Sequence, residues 1–468
     1  MVLGLGEGEA LSNVDAAWLQ MEDRTNLMVI TAVMSFTEQV EFADVKNVIE
    51  DRLICHDRFR QRIVTSPMPG VGPRWIEDDT FNLKSHLIRT ALPRPCGKAE
   101  LEELVSNLMS TPLDAGKPLW QFHFVDNYRD GSALIARIHH SIGDGIALVR
   151  LLLSMTDDSA AASPRPKAAP RWPKHRNTVA GFWLPEVVNE ALFTVRRVTG
   201  NLVEEGVKTM TTPGKAAAMA KEGARAAGVL GRLVTMSADP KTCLKGPLVT
   251  VKRCAWSEIL PFDAVKAYSK SVDATINDVL LTGVAGAIRH YLISRGENVE
   301  GLDIRAVVPV NLRPDGPPGE LGNKFGLVFL SLPVGTPTRL GRLRELKKRM
   351  DVIKNSPEAV VAFAVLNGLG MASAEIEGLA ITVFGSKATA VMTNVPGPRE
   401  PIYLAGTQVR SMMFWVPQSA RLGLGVSILS YAGQVRLGVA SDTGLIPDPA
   451  AIIDHFGNEM QAMISGEE

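Results

Sequence analysis

Apolar residues recur along this chain at two spacings, one helical and one alternating, and the two kinds of segment take turns. Between Leu11 and Met155, Asp15 to Glu22 and Phe42 to Leu53 repeat apolar positions at helical intervals, whereas Asn26 to Phe36 (NLMVITAVMSF) is rich in β-branched and apolar residues. Ser132 to Ile138 (SALIARI) predicts a strand and Ile146 to Met155 (IALVRLLLSM) a helix. A second alternating stretch begins near Lys245. It predicts helices over Thr275–Leu292 and Leu340–Ile353, and strands over Asp303–Val310, Phe325–Val334 and Ala388–Thr393. Leu422–Tyr431 and Gln434–Ala440 predict two further strands, joined at Ala432-Gly433 as a hairpin.

Between these halves the pattern breaks. Asp157 to Arg176 (DDSAAASPRPKAAPRWPKHR) is rich in proline, alanine and basic residues, the composition of a linker. The stretch on to about Met236 has small residues, glycines and scattered Lys/Arg (Lys215, Lys221, Arg225, Arg232), which reads as helical with a solvated basic face. The expected organisation is an α/β (α+β) fold with an N-terminal lobe over residues 1–156, a linker and helical connector over 157–240, and a C-terminal lobe over 241–468. A length of 468 residues also suits two domains better than one core.

Composition narrows the function classes. Hydrophobic residues make up 46% and charged residues 21% of the chain, a globular balance. Fifty basic residues face 50 acidic ones, so no bulk charge draws the chain to nucleic acid, and few aromatics argue against a base-stacking platform. The four cysteines (Cys55, Cys96, Cys243, Cys254) are too far apart in sequence to suggest a metal or redox pair, so free thiols in a reducing compartment are expected. The N-terminus has no basic start and no long apolar run, so no secretory signal is expected. No run of about 18 apolar residues predicts a membrane span. The apolar stretch Ala359 to Ala374 leaves two readings open, a buried helix or a helix resting on lipid.

Chemistry concentrates in HHSIGDG, His139 to Gly145, where an apolar strand ends and a helix begins. Such junctions put side chains at the rim of a sheet. A histidine titrating near neutrality suits removal of a proton from a hydroxyl. Asp144 lies four residues beyond His140, and Gly145 would permit a tight turn. Spacing alone allows a histidine–aspartate catalytic pair, or strand-end histidines with no chemistry. In the second half, Thr275 and Asp278 form a capping-box pattern that puts Asn277 in the first turn of an apolar helix, where free N–H groups favour negative charge. Asn277 is therefore a candidate oxyanion donor.

HHSIGDG matches HHxxxDG, the signature of the CoA-dependent acyltransferases that include chloramphenicol-acetyltransferase-like enzymes and peptide-synthetase condensation domains. Within that superfamily the chain resembles the wax ester synthase/diacylglycerol acyltransferase family over nearly its full length. LSNVDAAWLQME (Leu11–Glu22) is similar to its opening helix and TPLDAGKPLW (Thr111–Trp120) to its PLD-x-x-x-PLW block. INDVLL (Ile276–Leu281), PVNLR (Pro309–Arg313), LGN (Leu321–Asn323) and TNVPGP (Thr393–Pro398) follow in the family's order. The chain departs from the pattern at LMVIT (Leu27–Thr31), where bacterial members carry a PMHVG-like segment. In the family that strand lies near the acyl side, so the departure leaves chain-length and acceptor preference open.

The resemblance implies two chloramphenicol-acetyltransferase-like lobes, with mixed sheets and helices, meeting at an active-site tunnel. It implies His140 as general base and His139 as a structural neighbour. Asp144 would support the loop by pairing with an arginine, and Arg60 in HDRFRQR resembles the arginine expected there, so an Asp144–Arg60 salt bridge is predicted. Asn394, Gly397, Asn311 and Asn323 would shape the acyl or CoA channel. Arg313 would meet a CoA phosphate, since a guanidinium fits phosphate geometry. Asp278 is expected to be structural.

The implied activity is transfer of a fatty acyl group from acyl-CoA, a substrate rather than a cofactor, to a long-chain alcohol or diacylglycerol. No metal and no nucleic acid is expected. A cytoplasmic enzyme touching membrane or lipid inclusions peripherally would fit the insoluble products, and a homodimer is compatible with the sequence. Two alternatives stand beside it: an acyltransferase of the same superfamily acting on a polyketide or glycolipid hydroxyl, and a non-catalytic lipid-droplet-associated protein.

Overall fold

In a computed structural model, the described residues are 8–66, 72–161, 235–312, 321–354, 358–369, 385–418 and 420–466, with isolated positions between them. Arg313 and most of the 157–240 connector lie outside the described residues.

Two sheets form the frame. The first has six strands in the order β13-β14-β2-β7-β6-β5: β2 is Val29–Phe36, β5 Leu87–Thr90, β6 Trp120–Tyr128, β7 Gly131–His139, β13 Tyr403–Leu404 and β14 Thr407–Trp415. The second has seven strands, with β11-β10-β12-β15-β16-β8 in order and β9 pairing β16. Its members are β8 (Lys252–Trp256), β9 (Leu260–Pro261), β10 (Ile304–Asn311), β11 (Phe325–Leu332), β12 (Ala390–Pro396), β15 (Leu424–Tyr431) and β16 (Gln434–Asp442). A small sheet of β1 (Glu9–Ala10), β3 (Gln61–Val64) and β4 (Arg74–Glu77) flanks the first.

The helices are α1 (Asn13–Gln20), α2 (Phe42–Arg52), α3 (Lys98–Met109), α4 (Gly145–Ser154), α5 (Phe262–Ser271), α6 (Ile276–Ser294), α7 (Arg339–Lys354), α8 (Glu358–Leu369) and α9 (Pro449–Ser465). The periodic segments fall on them closely. The Ala432-Gly433 turn has φ of 46° and 76°, the positive pair that a two-residue hairpin turn requires.

Strand β14 crosses between the halves. It comes from the sequence of the second lobe, yet it pairs antiparallel with β2, Met412 opposite Met34 and Phe414 opposite Ala32. Ser35 and Ser411 share a buried hydroxyl hydrogen bond of 2.7 Å at that seam. On its other side β14 packs over β16 at Gly438, where an added methyl would lie 2.5 Å from Met413 Cε and 2.8 Å from Trp415 Nε1. The glycine thus lets the two sheets approach, and the 241–468 segment is not confined to one lobe in space.

The second sheet has a dense core on its α6/α9 face, with Val284, Ile288, Val308, Leu330, Val426 and Phe456 all buried. Helix α8 packs against β11 and joins this core at Ala359 and Val360. The first turn of α8 is buried at Ala359, Val360 and Val361, which favours the buried-helix reading for that part of the stretch; residues 370–374 lie outside the described residues. Gly326 of β11 admits the helix, since an added methyl would overlap the Ala359 carbonyl. Among the described residues no helix is long and apolar enough to cross a membrane. The four cysteines are free thiols.

Candidate active site

The HHSIGDG loop leaves the C-terminal end of β7 at His139, which lies opposite Val29 of β2. The next peptide stays tied to the same neighbour, because His140 N–H donates to the Met28 carbonyl at 2.7 Å. The chain then turns, with Ile142 N–H donating to the His139 carbonyl at 3.0 Å. It enters α4 at Asp144, whose Oδ1 accepts the Ala147 N–H at 2.8 Å as an N-cap. Gly145 does not take a positive φ, and an added methyl there would meet nothing nearer than Val416 Cγ1 at 4.0 Å. The turn expected of Gly145 is made instead by the cap at Asp144.

The LGN block of the second half closes over this loop. Gly322, at φ +100°, forms a parallel bridge with Gly143, and its N–H donates to the Ile142 carbonyl at 3.1 Å. Asp144 Oδ2 accepts the Lys324 N–H at 2.9 Å. Asn323 is buried and its Nδ2 donates twice, to the His140 carbonyl at 2.8 Å and to Asp15 Oδ1 at 2.7 Å. Asn323 thus ties the base's backbone to the opening helix, a contact within the protein rather than the channel contact expected of it.

The opening helix supplies three residues that sequence reasoning left without roles. Asp15 and Trp18 are spaced i, i+3 on one side of α1, and Glu22 lies just beyond its C-terminal end. Trp18 is buried and its ring stacks on His140 with centroids 4.0 Å apart and planes 19° apart. Phe325, at the start of β11, stands 5.6 Å from the His140 ring and 5.8 Å from Trp18. Glu22 Oε2 lies 3.0 Å from His139 Nε2 and accepts the Met28 N–H at 2.9 Å. His139 Nδ1 accepts the Ser141 N–H at 3.1 Å, which leaves Nε2 to carry the proton facing Glu22. His139 Nε2 thus faces Glu22 at 3.0 Å, although it and His140 Nδ1 are both buried without a well-formed hydrogen bond.

Burial sets the electrostatics. It drives the His140 pKa down to about 4, against the pull of the Asp144 charge, His140's own carbonyl and Asn323. His140 is thus neutral at pH 7, as a proton acceptor must be. Burial pushes the Asp15 carboxyl up, opposed by Ser12 and Asn323. Burial also pushes Glu22 up, but His139 and the Met28 amide outweigh it and hold the carboxyl below its usual range.

Arg60 does not reach this loop. It pairs with Glu77 at 2.9 Å and Asp57 at 2.8 Å and donates to the Ile54 carbonyl, so the expected Asp144–Arg60 bridge is absent. Both acids are near it in sequence or on adjoining β4, and they satisfy the guanidinium locally.

The second-lobe residues form a separate group. Thr275 and Asp278 make the expected capping box, at 3.0 and 3.1 Å, with Asp278 buried. Asn277, in the first turn of α6, accepts from Asn394 Nδ2 at 2.8 Å. Among the described residues no hydrogen bond joins this asparagine pair to His140. Asn311 ends β10 opposite Phe325. Gly397 is buried, its N–H donating to the Ser430 carbonyl at 2.7 Å, and an added methyl would stand 2.5 Å from that oxygen. Its glycine thus serves close packing against β15. Among the described residues no cluster of His, Cys, Asp or Glu is placed to hold a metal ion.

A neutral buried histidine on an HHxxxDG loop, clamped where two mixed sheets meet, defines a two-lobed acyltransferase of the chloramphenicol-acetyltransferase-like kind. Comparison with known proteins gives the family. Residues 11–280 match the model of the wax ester synthase/diacylglycerol acyltransferase catalytic domain, and residues 321–464 match that of the family's C-terminal domain. The chain belongs to the wax ester synthase/diacylglycerol acyltransferase family. It is 29% identical over 447 residues to a Mycobacterium tuberculosis protein named "Probable diacyglycerol O-acyltransferase tgs1", covering 94% of this chain and 92% of that one. Its fold is similar to the wax ester synthase/diacylglycerol acyltransferase from Marinobacter aquaeolei VT8, with a TM-score of 0.69, 22% identity and coverage of 98% and 99%. The first condensation domain of the calcium-dependent antibiotic synthetase shares the fold at a TM-score of 0.64 and 11% identity, with 98% and 97% covered.

Proposed function

We propose that this acyltransferase moves a fatty acyl group from acyl-CoA to the hydroxyl of a long-chain alcohol or diacylglycerol, with His140 as general base. The observation that carries the reading is a buried, neutral imidazole whose loop is held from both lobes and whose Nδ1 is paired with no carboxylate among the described residues. The acceptor oxygen attacks the thioester carbonyl carbon as its proton passes to the His140 ring. The C–S bond of the tetrahedral intermediate then breaks, and the proton moves from the imidazolium to the leaving thiolate. The products are an ester and free CoA, and no proton is consumed overall.

Asp144 supports the loop rather than the imidazole, since its oxygens accept from Ala147 and Lys324. Asn277 is the proposed oxyanion donor. Its position in the first turn of α6 favours negative charge, and its Oδ1 bond to Asn394 fixes the amide while leaving its N–H groups for a ligand. Asn311 and Arg313 are proposed to line the CoA side. A peripheral contact with membrane or lipid inclusions follows from the insolubility of such esters, and the cytoplasm is the proposed compartment.

The test is incubation of purified protein with palmitoyl-CoA and either hexadecanol or diacylglycerol. Acceptor-dependent release of free thiol, with ester formed in equal amount, is expected. Thiol release stimulated by neither acceptor would reject the reading.

A further inference from the structure

A base that takes and returns a proton needs its ring plane fixed. The common device is a hydrogen bond that the far ring N–H donates to a carboxylate. His140 lacks it: its Nδ1 is buried with no hydrogen-bond partner, and Asp144 accepts from two backbone amides. What touches the ring is aromatic. Trp18 lies over it at 4.0 Å and 19°, close to parallel, and Phe325 stands at 5.6 Å and 47°. Val14, Met28 and Phe325 pack with Trp18 in one apolar cluster, and Trp18 is 3% exposed.

The indole is not held there for its N–H, because Trp18 Nε1 is buried and forms no hydrogen bond. A buried donor left without a partner costs stability, which the ring face must outweigh. Beneath the stack, Asp15 accepts from Asn323, and the same amide group holds the His140 carbonyl. One face of α1 therefore addresses both the ring and the backbone of one residue, from about 125 residues away in sequence.

We propose that Trp18 and Asp15 are positioning residues for acyl transfer: the Trp18 face sets the His140 ring plane and stabilises the imidazolium as it forms, while Asp15 fixes the His140 backbone through Asn323. The proposal rests on His140 being the base. A cation forming over an indole is favoured by the ring's electron-rich face. Phenylalanine keeps a face and loses only the unused N–H, whereas leucine keeps bulk and loses the face.

The test compares Trp18→Phe, Trp18→Leu and His140→Ala in the full chain with palmitoyl-CoA and hexadecanol, reading kcat, KM and Tm. Trp18→Phe is expected to stay within about threefold of the parent kcat. Trp18→Leu is expected to lose about three- to thirtyfold relative to Trp18→Phe, with KM for palmitoyl-CoA unchanged. Equal kcat in the two variants, or a loss confined to KM, would overturn the role of Trp18. Asp15→Asn, which keeps an acceptor for Asn323, is expected to hold kcat within about threefold while Asp15→Ala loses about tenfold or more. This pair also serves if Trp18→Leu fails to fold, and equal kcat in it would overturn the role of Asp15. Full activity in His140→Ala would instead remove the base assignment, a failure distinct from that of the positioning proposal.

Discussion

Replacing Asp144 with alanine separates loop support from direct catalysis. Asp144 Oδ1 caps α4 through the Ala147 N–H at 2.8 Å, and Oδ2 accepts the Lys324 N–H at 2.9 Å. Loss of an N-cap costs about 1 kcal/mol, and loss of a hydrogen bond to a charged group about 1.5–3 kcal/mol. The second bond is the one that the Lys324 amide loses, so the combined cost is about 2.5–4 kcal/mol. Asp144→Ser keeps a capping oxygen but cannot span both amides, so it should recover about 1 kcal/mol. Urea unfolding followed by tryptophan fluorescence reads both changes as shifts in midpoint. Loss of activity should track loss of the folded, closed loop and be partly restored in Asp144→Ser. A variant Asp144→Ala of parental stability with kcat reduced about ten-thousandfold would refute this, because that is the signature of a residue orienting the base.

Two further predictions concern pH and packing. His140 has a pKa of about 4 when folded against an ordinary 6.5, so the unfolded chain takes up its proton first as pH falls. Stability from this group is complete above pH 6.5 and is lost as pH falls towards 4, by about 3 kcal/mol in all. His140→Ala should flatten stability across that window, and an unchanged pH dependence would contradict the burial argument. Gly326→Ala should destabilise the protein by about 1–3 kcal/mol, because the new methyl overlaps the Ala359 carbonyl where α8 crosses β11. An unchanged melting temperature would show that α8 yields at no cost.

Local patterns reached far into the fold and stopped at contacts between distant segments. Strands β2, β7 and β10 and helices α2, α4 and α6 follow periods that any window of the sequence displays. The exchange of β14 into the first sheet does not, since Thr407–Trp415 has no local feature that selects β2 as partner. The site divides in the same way. HHSIGDG and the Thr275–Asp278 box are contiguous, and their positions were legible. The bridge from Asp15 through Asn323 to His140 joins residues 308 and 183 positions apart, which no spacing encodes. Arg60 failed for the opposite reason, because two acids close at hand claim it before Asp144 can. The signal that could have found Trp18 was its i+3 position from Asp15, the one charged residue in the apolar run Val14–Leu19.

If His140 takes the acceptor's proton, ester formation by His140→Ala reports it directly. With palmitoyl-CoA and hexadecanol or diacylglycerol, a folded variant with an intact melting transition should lose about 10²–10⁴-fold in kcat. Ester formation at the parental rate by that folded variant would contradict the account.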